Sequence, residues 1–112
     1  LVALSNGNAD VQRVGIGRHF RAALSAREFG VGKPDARFFH AAASAARVLP
    51  GEVLHIGDDA TLDARGALDA GLQAVWINRA GLAWPHDGEA PLTLTSLGAL
   101  CTLFTKADSF PP

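Results

Sequence analysis

HIGDDATLD, residues 55–63, follows the apolar pair Val53-Leu54 and sets Asp58, Asp59 and Asp63 within six positions, with no basic residue before Arg65. An apolar run ending in glycine and negative charge predicts a buried strand that delivers carboxylates to its C-terminal end. At an effective dielectric near 20, like charges about 4 Å apart repel by roughly 4 kcal/mol. Clustered carboxylates must therefore separate, take up a proton or hold a cation. Asp59 or a neighbour can cap the helix that begins near Thr61, but one cap needs one carboxylate.

Working outward, Leu1–Ser5 reads as an apolar strand closed by the turn-forming Asn6-Gly7-Asn8, and Val53–Ile56 and Leu72–Ile77 as two more strands. Residues 10–16 form a short candidate helix, and Phe20–Ser25 is a weaker strand followed by the glycine-punctuated loop EFGVGKPD. Between Asp35 and Leu49 the positions Phe38, Phe39, Ala42, Ala46 and Leu49 recur at helical spacing, with Pro34 suited to the first turn and Pro50-Gly51 as a stop. Residues 61–70 predict a helix leaving through Gly71, 78–94 a loop, and Thr95 or Ser96 the cap of a last helix through Phe104. Strands joined through helices run parallel and are covered on both faces, so LVAL, VLHI and AVWI are near-continuous apolar runs. The expected fold is α/β, a doubly wound, Rossmann-like three-layer sandwich. Residues 1–104 make one domain unit and 105–112 a frayed tail.

In such a fold, ligands bind at the carboxyl ends of the strands. Three segments reach that edge with chemistry: Ser5-Asn6-Gly7 with a hydroxyl and backbone amides, Gly32-Lys33 with an ammonium, and Gly57-Asp58-Asp59 with carboxylates. All-oxygen sites suit magnesium, which takes one or two carboxylates together with waters and substrate phosphate oxygens. Lys33 is one of two lysines, and phosphoryl chemistry needs positive charge set beside non-bridging oxygens. Ser5 with the amides that follow supplies the other half of a phosphate clamp. The four histidines show no zinc-like pairing and receive no catalytic part; Trp76 and Trp84 read as packing groups.

Composition bounds the rest. The 112 residues carry a formal charge of −1, which points to no nucleic-acid partner, and no apolar run approaches the roughly 20 residues a membrane helix needs. Cys101 has no partner for an internal disulfide; its apolar helical surroundings predict a buried thiol, and a reducing, cytoplasmic compartment fits. With no methionine in the sequence and a strand already under way at residue 1, the chain reads as a fragment of a longer one.

Ser5 after an apolar strand, Lys33 in GKPD and GDDATLD after another strand, in that order, resemble the haloacid dehalogenase-like hydrolase superfamily, in its second, third and fourth motifs. The resemblance runs from Leu1 to about Gly81. It implies a magnesium-dependent phosphomonoester hydrolase working through an aspartyl-phosphate. Ser5 and the amides of Asn6 and Gly7 would hold phosphate, Lys33 would stabilise the nucleophile and phosphoryl group, and Asp58 would ligate magnesium. Asp63 would act beside Asp58, directly or through water. The family's first motif, an Asp-x-Asp on a central strand, is absent, so this fragment alone should not turn over. The resemblance places that strand between Leu1–Ser5 and Val53–Ile56, and the cap also upstream of Leu1. LHIGDD, AVWINRAG and LTSLGALCTLF look like the branch acting on flavin mononucleotide or riboflavin-precursor phosphates, making a small phosphorylated metabolite and the missing N-terminal segment the expected partners. A phospho-receiver module also combines an acidic pair, a hydroxyl and a lysine, but in the opposite order. A non-catalytic remnant pairing its open slot with another chain is the third reading.

Overall fold

The computed structural model describes residues 1–7 and 20–108, the last three by backbone alone. The helix expected over 10–16, His19 and residues 109–112 lie outside the described residues. Two parallel strands, β1 (Val2–Ser5) and β2 (Ala22–Ser25), pair in register Val2 with Ala22 through Ser5 with Ser25. A second sheet contains β3 (Leu54–Gly57), β4 (Gln73–Ile77) and β5 (Leu92–Leu94), in that order and all parallel.

The helices explain why the strands are apolar on both sides. Helix α1 (Ala26–Phe29) is a single turn capped by Ser25. Helix α2 (Ala36–Ala46) is capped by Asp35, whose side chain accepts the Arg37 amide, and it buries Phe38, Phe39, Ala42 and Ala43. It ends three residues short of Leu49. Arg47 adopts a left-handed φ of 59°, and Val48 donates to Ala43 O at 3.1 Å, closing the helix before Pro50. A turn of 3₁₀ helix, Pro50–Glu52, then leads into β3. After β3 the expected regular helix divides into a π-helical turn, Ala60–Arg65, and α3 (Gly66–Asp69).

Phe39, Ala67, Ala70, Leu72 and Ala74 form one buried cluster, joined by Leu4, Val53 and Leu68. Val75, Ile77 and Leu100 form another on the opposite face, with Ile56 and Leu94 against it. Alternation along β4 sends Ala74 to the first cluster and Val75 and Ile77 to the second, the period-two geometry of a strand. The second sheet thus lies between α2 and α3 on one side and α4 (Leu97–Asp108) on the other, the three layers expected of a Rossmann-like sandwich.

Three expectations need correction. β5 lies inside the stretch read as a loop, and α4 continues past Phe104 to Asp108. Cys101 is exposed because α4 turns Leu100 inward and the next residue, about 100° around the helix, outward.

Among the described residues the two sheets do not pair with each other. Between β1 and β3 runs a slot of about 1000 Å³, lined by Leu1–Leu4 on one wall and Val53–Asp58 on the other. Its position is where the resemblance places a further central strand.

Candidate active site

The polar end of the slot is organised by Lys33. The Asn6 side chain, just past β1, accepts from the Lys33 backbone N–H at 2.7 Å and donates to the Lys33 carbonyl at 2.8 Å. This two-point clamp ties the lysine's peptide to the turn after β1. Gly32 is required by that approach, since a Cβ there would collide with the Asn6 amide and the Ala26 methyl. Ser5 Oγ accepts the Gly7 amide at 3.1 Å, which turns the chain back after the strand.

The lysine's other end reaches across to the acidic segment. Lys33 Nζ donates to Asp63 Oδ1 at 2.7 Å, and both side chains are largely buried. His55 Nε2 approaches the same oxygen at 2.9 Å. Asp59 N–H donates to Asp63 Oδ2 at 3.2 Å. An ionised carboxylate only accepts, so His55 carries its proton on Nε2. Burial raises the Asp63 pKa, but hydrogen bonds from His55 and Lys33, the ammonium's charge and the Asp59 amide outweigh that and bring it from 3.8 down to about 2. Gly57 makes room for this arrangement, because a Cβ at that position would overlap the Asp63 carboxylate. Gly66 lets the following helix approach Pro34 and Phe39, so the lysine loop rests on α3.

The three carboxylates of the acidic run therefore separate into three environments. Asp59 caps the π-helical turn by accepting from Thr61 and Leu62 N–H at 2.9 and 2.8 Å. Asp63 is 4% exposed and engaged by three donors. Asp58 is exposed, lines the slot with Lys33 and Asp63, and has no side-chain hydrogen bond among the described residues. Its carbonyl accepts Trp76 Nε1 at 3.0 Å, and Trp76 meets Trp84 edge-on, so these tryptophans pack as expected while also holding the acidic loop. The turn at 60–65 carries an i→i+5 bond from Ala64 to Asp59, a widening often found at functional sites.

Magnesium is suited by one or two carboxylates plus waters and phosphate oxygens. Among the described residues no three acidic, histidine or cysteine side chains converge as a metal nest. Asp58 offers one uncommitted carboxylate at the slot, which fits a single protein ligand of a magnesium site. Sequence reasoning missed His55. Its available signal was period two: His55 and Gly57 share one face of β3, and that face closes on Asp63.

A parallel sheet with a lysine and a strand-end carboxylate lining one slot, and a serine turn clamped to that lysine's peptide, defines a Rossmann-like core. The profile of the haloacid dehalogenase-like hydrolases matches residues 1–71, and the chain belongs to that family. It is 44% identical over 95 residues to a phosphoserine phosphatase of Thermus thermophilus, covering 80% of this chain and 37% of that protein. It is also 44% identical over 96 residues to the 5-amino-6-(5-phospho-D-ribitylamino)uracil phosphatase YigB of Escherichia coli, covering 86% of this chain and 38% of that one. The fold superposes on a 2-haloacid dehalogenase from Pseudomonas syringae with a TM-score of 0.87 at 36% identity, over 96% of this chain and 46% of that structure. The chain thus spans less than half the length of these relatives.

Proposed function

We propose that this chain is the C-terminal part of the core domain of a magnesium-dependent phosphomonoester hydrolase that works through an aspartyl-phosphate. The observation that carries the reading is the Lys33 ammonium set beside the slot that Asp58 also lines. Ser5 Oγ, whose own proton stays free to donate, and the Asn6 amide hold the phosphate at the end of β1, and the Gly7 amide joins them on leaving Ser5 Oγ. Lys33 neutralises charge on the phosphoryl oxygens and on the attacking carboxylate. Asp58 is the protein ligand this chain contributes to magnesium, whose part when bound is to draw charge from the phosphoryl group. Asp63 fixes Lys33 through Oδ1, and its Oδ2, which accepts the Asp59 amide, would act beside Asp58 toward a bound magnesium, directly or through water.

The nucleophilic Asp-x-Asp belongs to an upstream strand that enters the slot between β1 and β3. The substrate is a small phosphorylated metabolite. The relative that acts on a ribitylamino-uracil phosphate supports a riboflavin-precursor phosphate. The exposed free thiol of Cys101 accords with the cytoplasm. Haloacid dehalogenation, suggested by the superposed dehalogenase, would leave Asp58 without a task.

The full-length protein is expected to release inorganic phosphate from members of a small phosphomonoester panel with magnesium and to stop when the metal is chelated. Replacing Lys33 with Ala is expected to lower turnover at least about a hundredfold. No release from any ester, or release indifferent to chelation, would defeat the reading.

A further inference from the structure

We infer that His55 is a positioning residue for the Lys33 ammonium, acting through Asp63. The inference rests on the hydrolase reading above and assigns a residue which that reading leaves without a role.

Asp63 Oδ1 receives two donors from different segments, Lys33 Nζ from the loop before α2 and His55 Nε2 from β3. Rotation about a carboxylate's last torsion is soft, so the donors set the plane of the group. The donors differ in stiffness. Lysine carries its charge on a flexible four-carbon stem, whereas the His55 ring hangs on a strand and lies edge-on to Phe39, ring centres 5.0 Å apart. Phe39 is fully buried, and the His55 side chain is 12% exposed. Position is therefore transmitted from the rigid core outward: Phe39 holds His55, His55 and the Asp59 amide orient Asp63, and Asp63 holds the ammonium. Without the imidazole N–H, Oδ1 is left with the flexible partner alone. The ammonium then samples a wider range of positions at the end of the slot.

A histidine that merely fills space beside Phe39 would be replaceable by any side chain of similar volume. A positioning histidine needs a donor at the reach of Nε2, which glutamine supplies and leucine and asparagine do not. The test uses full-length protein, p-nitrophenyl phosphate as the probe ester and saturating magnesium. His55→Leu is expected to lower kcat about tenfold, in the range typical of groups that orient a functional ligand, with KM within about twofold. His55→Gln is expected to restore kcat to within about threefold of the unaltered protein. If His55→Leu fails to fold, His55→Asn takes its place with the same expectation, its amide being too short to reach Asp63.

Equal impairment by Leu (or Asn) and Gln would reduce His55 to packing, and unchanged kcat in the leucine variant, or a loss confined to KM, would equally overturn the inference. Lys33→Ala and Asp58→Asn run alongside. Their inactivity beside fully active His55 variants would remove the positioning role and leave the hydrolase reading standing, whereas full activity in all of them would remove both.

Discussion

β1 and β4 are similar in composition, VALS against QAVWI, yet they are buried very differently. Four of the five β4 residues are buried, while each residue of β1 stays partly exposed. The distinction lies in their neighbours. β4 has a hydrogen-bonded strand on each edge and helices on each face, whereas β1 has β2 on one edge and the slot on the other. Apolar sequence states what a parallel strand requires, and only partners on both sides supply it. The half built on β3, β4 and β5 carries its own core; the β1–β2 half leans on that core through Leu4 and α2.

The sharpest way to break this contrast is to remove the side chain both halves share. Phe39→Ala is expected to cost about 3–5 kcal/mol in urea unfolding and to loosen β1–β2 along with the larger sheet. Unfolding of the β3–β5 half at an unchanged midpoint would show that the halves do not share this core. A second experiment compares one substitution in two places. In the 112-residue chain, Val75→Ala is expected to cost about 2–3 kcal/mol and Val2→Ala under about 1 kcal/mol. In the full-length protein the Val2 cost is expected to rise toward that of Val75; an unchanged value would mean that nothing covers β1 there.

Smaller than either core deletion, Phe39→Ala or Val75→Ala, is the acid response of the joint between the halves. Asp63 titrates lower when folded than when unfolded, so it adds stability above its ordinary pKa of 3.8, and this is lost as pH falls toward about 2. The loss amounts to about 2 kcal/mol between pH 4 and pH 2. Urea midpoints through that window are expected to fall less in Asp63→Asn than in the unaltered protein; parallel curves would mean that the carboxylate is not held as the structure has it.

Much of the fold was legible because β1, β3 and β4 declare themselves by apolar runs and α2 by its cap and stop. The parallel order followed from the helices between strands, and the slot from the absent Asp-x-Asp strand. β5 was hidden because it has three residues and follows Pro91, which reads as loop. Cys101 was misjudged because α4 is apolar on more of its circumference than the fold covers: Leu97, Leu103 and Phe104 are exposed too. Within the site, residue types were legible but their division of labour was not. That Asp59 would cap, Asp63 would lock onto Lys33 and Asp58 would stay uncommitted depends on side-chain directions around a widened helical turn, which spacing does not encode. His55 escaped because a histidine within a strand resembles core.

Lys33 is fastened to the turn after β1 by its peptide group and to the turn after β3 by its side-chain tip. It acts like the pin of a hinge, joining the two leaves at the end where the chemistry gathers. The leaves are free to part at Leu1 and Val53, but the separation of Asn6 and Asp63 cannot exceed the reach of one lysine while both of its ends stay bonded.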